Sequence, residues 1–185
     1  ISNDGVGSGP DAYDYARRVA ALDFYARTDH NSFFEAGGIA DFDAYTRLAD
    51  ERNDPGRFAT IHGAEVSFGA PYGHHNVYFR DEPIMVADEY SATLPELWKS
   101  LAASQALTIP HHTMKMPSPI DWSDGDDPGL RRNFEIFSAH GLSEAYDPYH
   151  PLAVDQSLFT NASLSQRAGI SAQRAWELGM RLSTI

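Results

Sequence analysis

The chain has 185 residues, the length of a single domain, and its 42% hydrophobic and 22% charged residues support a packed core and argue against disorder. It has no cysteine, which excludes disulfides, thiolate metal sites and a cysteine nucleophile. Fourteen basic against 26 acidic residues give a net charge of -12, which argues against non-specific nucleic-acid binding and against an anionic membrane surface.

In chain order, Pro10 opens a helix whose Ala12, Tyr15, Ala16, Val19 and Ala20 recur at helical spacing over 10–21. Residues 22–28 (LDFYART) read as a short strand that stops at Asp29, His30 and Asn31. A second helix is predicted over 39–52, followed by the turn Asn53-Asp54-Pro55-Gly56. Strands are predicted at 58–68 (FATIHGAEVSF) and 75–80 (HNVYFR). Thr93-Leu94-Pro95-Glu96 has the form of a capping box and opens a helix to about residue 106. Residues 107–110 (LTIP) form a brief strand that runs straight into His111 and His112. The stretch 114–129, rich in Pro, Gly and Asp, is predicted as a loop, and 133–139 (NFEIFSA) as a strand ending at His140. A last helix is predicted over 171–178, with Gly179 as its C-cap, and a further strand over 181–185. Residues 141–170 give no readable pattern. The alternation predicts an α/β fold with chemistry at the C-terminal ends of strands. No apolar run is long enough to span a bilayer, so a soluble chain, cytoplasmic or periplasmic, is expected.

The eight histidines track strand ends. His30 follows LDFYART, His74 and His75 open HNVYFR, His111 and His112 close LTIP, and His140 closes NFEIFSA. Only His62 and His150 lack such a position. Taken singly, each is what a hydrogen-bonded polar strand exit would look like. Taken together, and with the carboxylate of Glu65 inside an apolar stretch, they point to a metal site, because imidazole and carboxylate suit zinc, manganese and iron. Neighbours on an extended strand point to opposite faces, so one member of each adjacent histidine pair is expected not to ligate. No G-x-S-x-G, Walker loop, H-E-x-x-H or post-strand G-x-G-x-x-G is present.

The same residues resemble a known family. LDFYARTDHN is similar to the "LDFIAITDHN" block of the PHP (polymerase and histidinol phosphatase) superfamily of metal-dependent phosphoesterases. HGAEVSF resembles the strand that carries the family's bridging glutamate, HHNVYF its "HLLGY" strand, and LTIPHH its "xxIAHP" strand end. The resemblance implies a distorted (β/α)7 TIM-like barrel, with 1–185 as the core of a single PHP-like domain. It implies two or three divalent metal ions (Mn, Zn or Fe) and hydrolysis of a phosphorylated small molecule by a metal-activated water. Carried over by position, Asp4, His30, Glu65, His75 and His111 are the expected ligands, with His112 close enough to compete with His111 and His75 matching better than His74. Asp29 is expected to orient or support, and Glu135 and His140 to reach the pocket, His140 as substrate contact or ligand. The chain starts at Ile1, just after the place of the family's H-x-H motif, and stops at Ile185, before its last D-x-H motif, so the expectation is a domain interior lacking both ends. The alternatives are an amidohydrolase-like C–N hydrolase and a non-catalytic PHP-like binding or regulatory domain. Oligomeric state stays open.

Overall fold

The computed structural model describes residues 9–30, 39–85, 93–115, 118–153 and 168–185. The central element is a four-stranded sheet in the order β1 (Phe24–Ala26), β2 (Ala59–Ser67), β3 (His74–Phe79), β4 (Ala106–His111). β1 runs parallel to β2, whereas β2–β3 and β3–β4 are antiparallel. β1, β2 and β4 therefore point one way and β3 the other.

Helices cover one face of this sheet. α1 (Gly9–Arg18) buries Tyr13 and Ala16 against Tyr25 of β1, Phe58, and Ala49 of α2 (Ile39–Arg52). α2 also seats Phe42 and Tyr45 on Ala64. α3 (Leu94–Leu101) buries Leu94, Leu97, Trp98 and Leu101 over Val66, Val77 and Phe79. Its N-terminus carries the predicted cap, in which the Glu96 carboxylate accepts hydrogen bonds from the amide and hydroxyl of Thr93 at 2.7 and 2.8 Å. The alternate residues of β2 and β3 (Glu65, Ser67, His74, Asn76) lie on the other face, as the two-residue period of a strand requires.

Two small sheets lie beyond β4: β5 (Asn133–Phe134) paired in parallel with β8 (Ser183–Thr184), and β6 (Phe137–Ser138) with β7 (Gly141–Leu142). With α4 (Ala172–Glu177) they enclose a second core of Ile120, Trp122, Phe134, Ala172, Ala175 and Leu182. Arg131 ties the two cores together. It is 1% exposed, with its guanidinium 5.2 Å from the Trp98 ring and 5.3 Å from Trp122, and it pairs with Asp126 at 3.0 Å.

The expected distorted barrel is not what these residues form. Among the described residues the large sheet is open and mixed, and β1 and β4 are its two ends rather than partners. The cause is the connection 68–73, where the chain returns directly as a hairpin with no crossover helix. Such a return can only be antiparallel, whereas a TIM-like barrel needs parallel neighbours. The α/β expectation therefore stands only in the loose sense of a mixed fold. The strand predicted over 133–139 is likewise two short strands with a break at Glu135 and Ile136.

Candidate metal centre

The hairpin geometry decides which side chains meet. Gly73 adopts φ +65, and a Cβ there would lie 2.3 Å from Ile120, so glycine allows the turn to sit against the 118–120 segment just before β3 begins. The register then places His74 opposite Ser67 on β2 and opposite His111 on β4. Glu65 lies two residues back from Ser67 on the same face, and His30 bridges to Glu65 from the β1 side. The C-terminal ends of β2 and β4 and the N-terminal end of β3 thus meet at one rim of the sheet.

Glu65 is the hub of that rim. Its Oε1 lies 2.9 Å from His74 Nδ1, 3.1 Å from His111 Nε2, 3.4 Å from Ser67 Oγ and 3.5 Å from His30 Nδ1. Glu65, His74, His111 and His112 each offer a ligand atom, and these atoms all lie within 4.8 Å of one another. This cluster could hold a metal ion. Glu65 and His112 are 3% exposed, while His74 and His111 are half-buried, which leaves the cluster closed on one side and reachable on the other.

The two adjacent histidine pairs behave differently. At His74 and His75 strand alternation holds. His74 faces Glu65, and His75 points into the helix-covered core beside Phe68, 0% exposed. The residue matching the family's ligand position therefore faces away from the cluster, and its neighbour faces in. At His111 and His112 alternation breaks, because His112 has φ +35, in the left-handed region that few non-glycine residues occupy. That backbone reversal at the strand end lets His112 join His111, with ring centroids 4.1 Å apart. The bent backbone is held by the His112 amide donating to Glu135 Oε2 at 2.8 Å and by the Lys115 amide donating to the His112 carbonyl at 2.9 Å. His140, carried on the β6–β7 turn, stacks edge-on against His112 with centroids 4.7 Å apart. Glu135 and His140 thus reach the cluster through His112.

Asp29 does not face the histidines. It lies on the helix side, paired with buried Arg27, and Tyr45 accepts a hydrogen bond from its amide at 3.3 Å. Its carbonyl also accepts the Glu65 amide at 2.9 Å, a main-chain link to the site. Asp4 lies outside the described residues. His62 is at the far end of β2, 2.9 Å from Asp50, beside a broad cleft of about 1110 Å³ that includes none of the clustered histidines. His150 accepts from the Leu152 amide at 3.1 Å and is not one of the clustered donors.

Electrostatics prepare the cluster for a cation. Burial alone would raise the Glu65 carboxyl, but hydrogen bonds and charge from His111 and His74 outweigh it and hold the group well below the usual carboxylate range. Burial pushes His74 below the ordinary imidazole value, partly offset by Glu65. Burial and then the neighbouring His111, His74 and His140 push His112 well down. Ionised carboxylate and neutral imidazole are the forms that bind metal. Nδ1 of His112 is buried with no hydrogen-bond partner among the described residues, a penalty a bound cation would remove. Three imidazoles and one carboxylate suit a borderline divalent ion.

No family model matches the chain, and no curated protein matches it. No helix among the described residues is long and apolar enough to cross a membrane.

Proposed function

We propose that the chain carries the metal centre of a divalent-cation-dependent hydrolase acting on phosphoesters. The observation that carries this reading is the convergence of Glu65, His74, His111 and His112 within 4.8 Å at one rim of the sheet. When bound, a zinc, manganese or iron ion would supply Lewis acidity toward a phosphoryl oxygen and toward water. The chain's own residues do the rest. Glu65 provides the negative charge, and the imidazoles of His74, His111 and His112 provide nitrogen donors on a rigid strand frame. Glu135 holds the His112 backbone in its left-handed bend. His140, stacked on His112, would be the residue that exchanges a proton with the leaving oxygen. The choice of phosphoester rests on the likeness of the blocks around His30, Glu65, His74 and His111 to PHP-superfamily blocks.

The test measures zinc and manganese binding calorimetrically, together with hydrolysis of a chromogenic phosphomonoester and a phosphodiester. Wild type is expected to bind one ion tightly, and Glu65→Gln and His74→Ala to weaken it at least tenfold and to lose turnover in step. Equal affinity in wild type and Glu65→Gln refutes the metal centre. Tight binding with no turnover of either ester refutes the phosphoesterase.

A further inference from the structure

Ser67 matches no family motif, yet it is 5% exposed and stands in the middle of the cluster. Its Oγ is 2.6 Å from His30 Nδ1, 3.4 Å from Glu65 Oε1 and 3.4 Å from His74 Nδ1. Two of these contacts, both to the Glu65 carboxylate, have a fixed direction. A carboxylate only accepts, so His74 Nδ1, 2.9 Å from Glu65, carries a hydrogen and donates it. That nitrogen therefore has no lone pair for Ser67. Toward Glu65 the Ser67 hydroxyl can only donate, whereas its 2.6 Å contact with His30 Nδ1 fits either direction. The ionised carboxylate is the stronger acceptor; with the hydroxyl hydrogen directed there, the Ser67 oxygen meets His30 as an acceptor and His30 Nδ1 is the donor.

We propose that Ser67 is a positioning residue that links His30 to Glu65 through a directed chain, His30 Nδ1–H to Ser67 Oγ–H to Glu65 Oε1. The chain fixes His30 in the Nδ1–H tautomer, so that Nε2 keeps its lone pair as a ligand or proton acceptor. Partners of this kind orient metal-site histidines generally, through the hydrogen bond made by the second ring nitrogen. Ser67 also holds the Glu65 carboxylate, which makes it a determinant of cation affinity without being one of the four clustered donors. Its use for a cation rests on the metal-centre reading above, whereas the tautomer does not.

The test is a ¹H–¹⁵N long-range correlation on the metal-free full chain with labelled histidine, His30 being assigned by its loss in His30→Gln. In wild type, Nδ1 of His30 is expected to be protonated and Nε2 bare. Ser67→Ala is expected to lose that preference, and Ser67→Thr, which keeps the hydroxyl, to restore it. Zinc affinity should fall about tenfold in Ser67→Ala and return in Ser67→Thr. A protonated Nε2 in wild type, an unchanged His30 spectrum in Ser67→Ala, or a zinc affinity there within twofold of wild type overturns the proposal. Failure of wild type to bind zinc refutes the metal centre instead, and the tautomer measurement then decides on Ser67 alone.

Discussion

His74 and His75 are neighbours of the same residue type, and the structure gives them opposite roles. Replacing each by leucine should therefore shift stability in opposite directions, and only the His74 replacement should weaken metal binding. His75 is fully buried, and neither ring nitrogen has a hydrogen-bond partner among the described residues. A neutral imidazole carries one donor and one acceptor, and leaving such a group unsatisfied costs about 1–3 kcal/mol. Leucine is similar in size and meets an apolar wall that includes Phe68, so His75→Leu removes that penalty without opening a large cavity. The expected gain is about 2 kcal/mol, or roughly 4–8 °C in Tm for a chain of this length. His74→Leu instead removes a hydrogen bond from a buried carboxylate that is 3% exposed. It should lose about 1–3 kcal/mol and most of the zinc affinity. Urea unfolding at constant m-value and zinc calorimetry on the two variants decide the matter. A His75→Leu variant destabilised by more than about 1 kcal/mol, or weakened in zinc binding as much as His74→Leu, would refute the register argument.

Three further outcomes are expected. Because His112 sits at φ +35, His112→Gly should be more stable than His112→Ala by about 1 kcal/mol, the reverse of the usual order within an element, as read by thermal unfolding. Arg131→Met should destabilise the chain by about 2–4 kcal/mol, since it removes two buried cation–π contacts and a carboxylate partner while keeping most of the volume; equilibrium unfolding that separates into two transitions would show that Arg131 also couples the two cores. Burial raises the Tyr13 hydroxyl to about 12, so the folded state keeps its proton where the unfolded chain begins to lose it near pH 10; stability is complete below about pH 10 and falls as pH rises toward 12, by roughly 2 kcal/mol, and Tyr13→Phe should remove that part of the alkaline loss.

Much of the site was legible in the chain because strand-end histidines and a carboxylate in an apolar run are local signals. Glu65 and His111 needed only those signals. His74 was legible as one of two candidates, but the choice between His74 and His75 depends on which face of the sheet the helices cover, a tertiary fact. Sequence alternation also argued that His111 and His112 would not point the same way. It missed the left-handed backbone at His112, and the only hint was that histidine, with asparagine and aspartate, tolerates that region better than most residues. Ser67 gave no sign, since a serine in a strand is ordinary until its partners are known. The barrel expectation failed at the connection 68–73, where six residues between two strands already spelled a hairpin and not a crossover.

The reversed strand has a consequence for how the chain assembles. Glu65 and His74 come from the two arms of a single hairpin, so they meet as soon as that local unit closes. His111 and His112 come from further along the chain, beyond α3. A cation held by all four would act as a stitch between that hairpin and the strand end beyond α3. By joining segments well separated along the chain, it would offset part of the chain entropy lost in bringing them together. The centre would then contribute to the cohesion of the fold as well as to any chemistry at the rim.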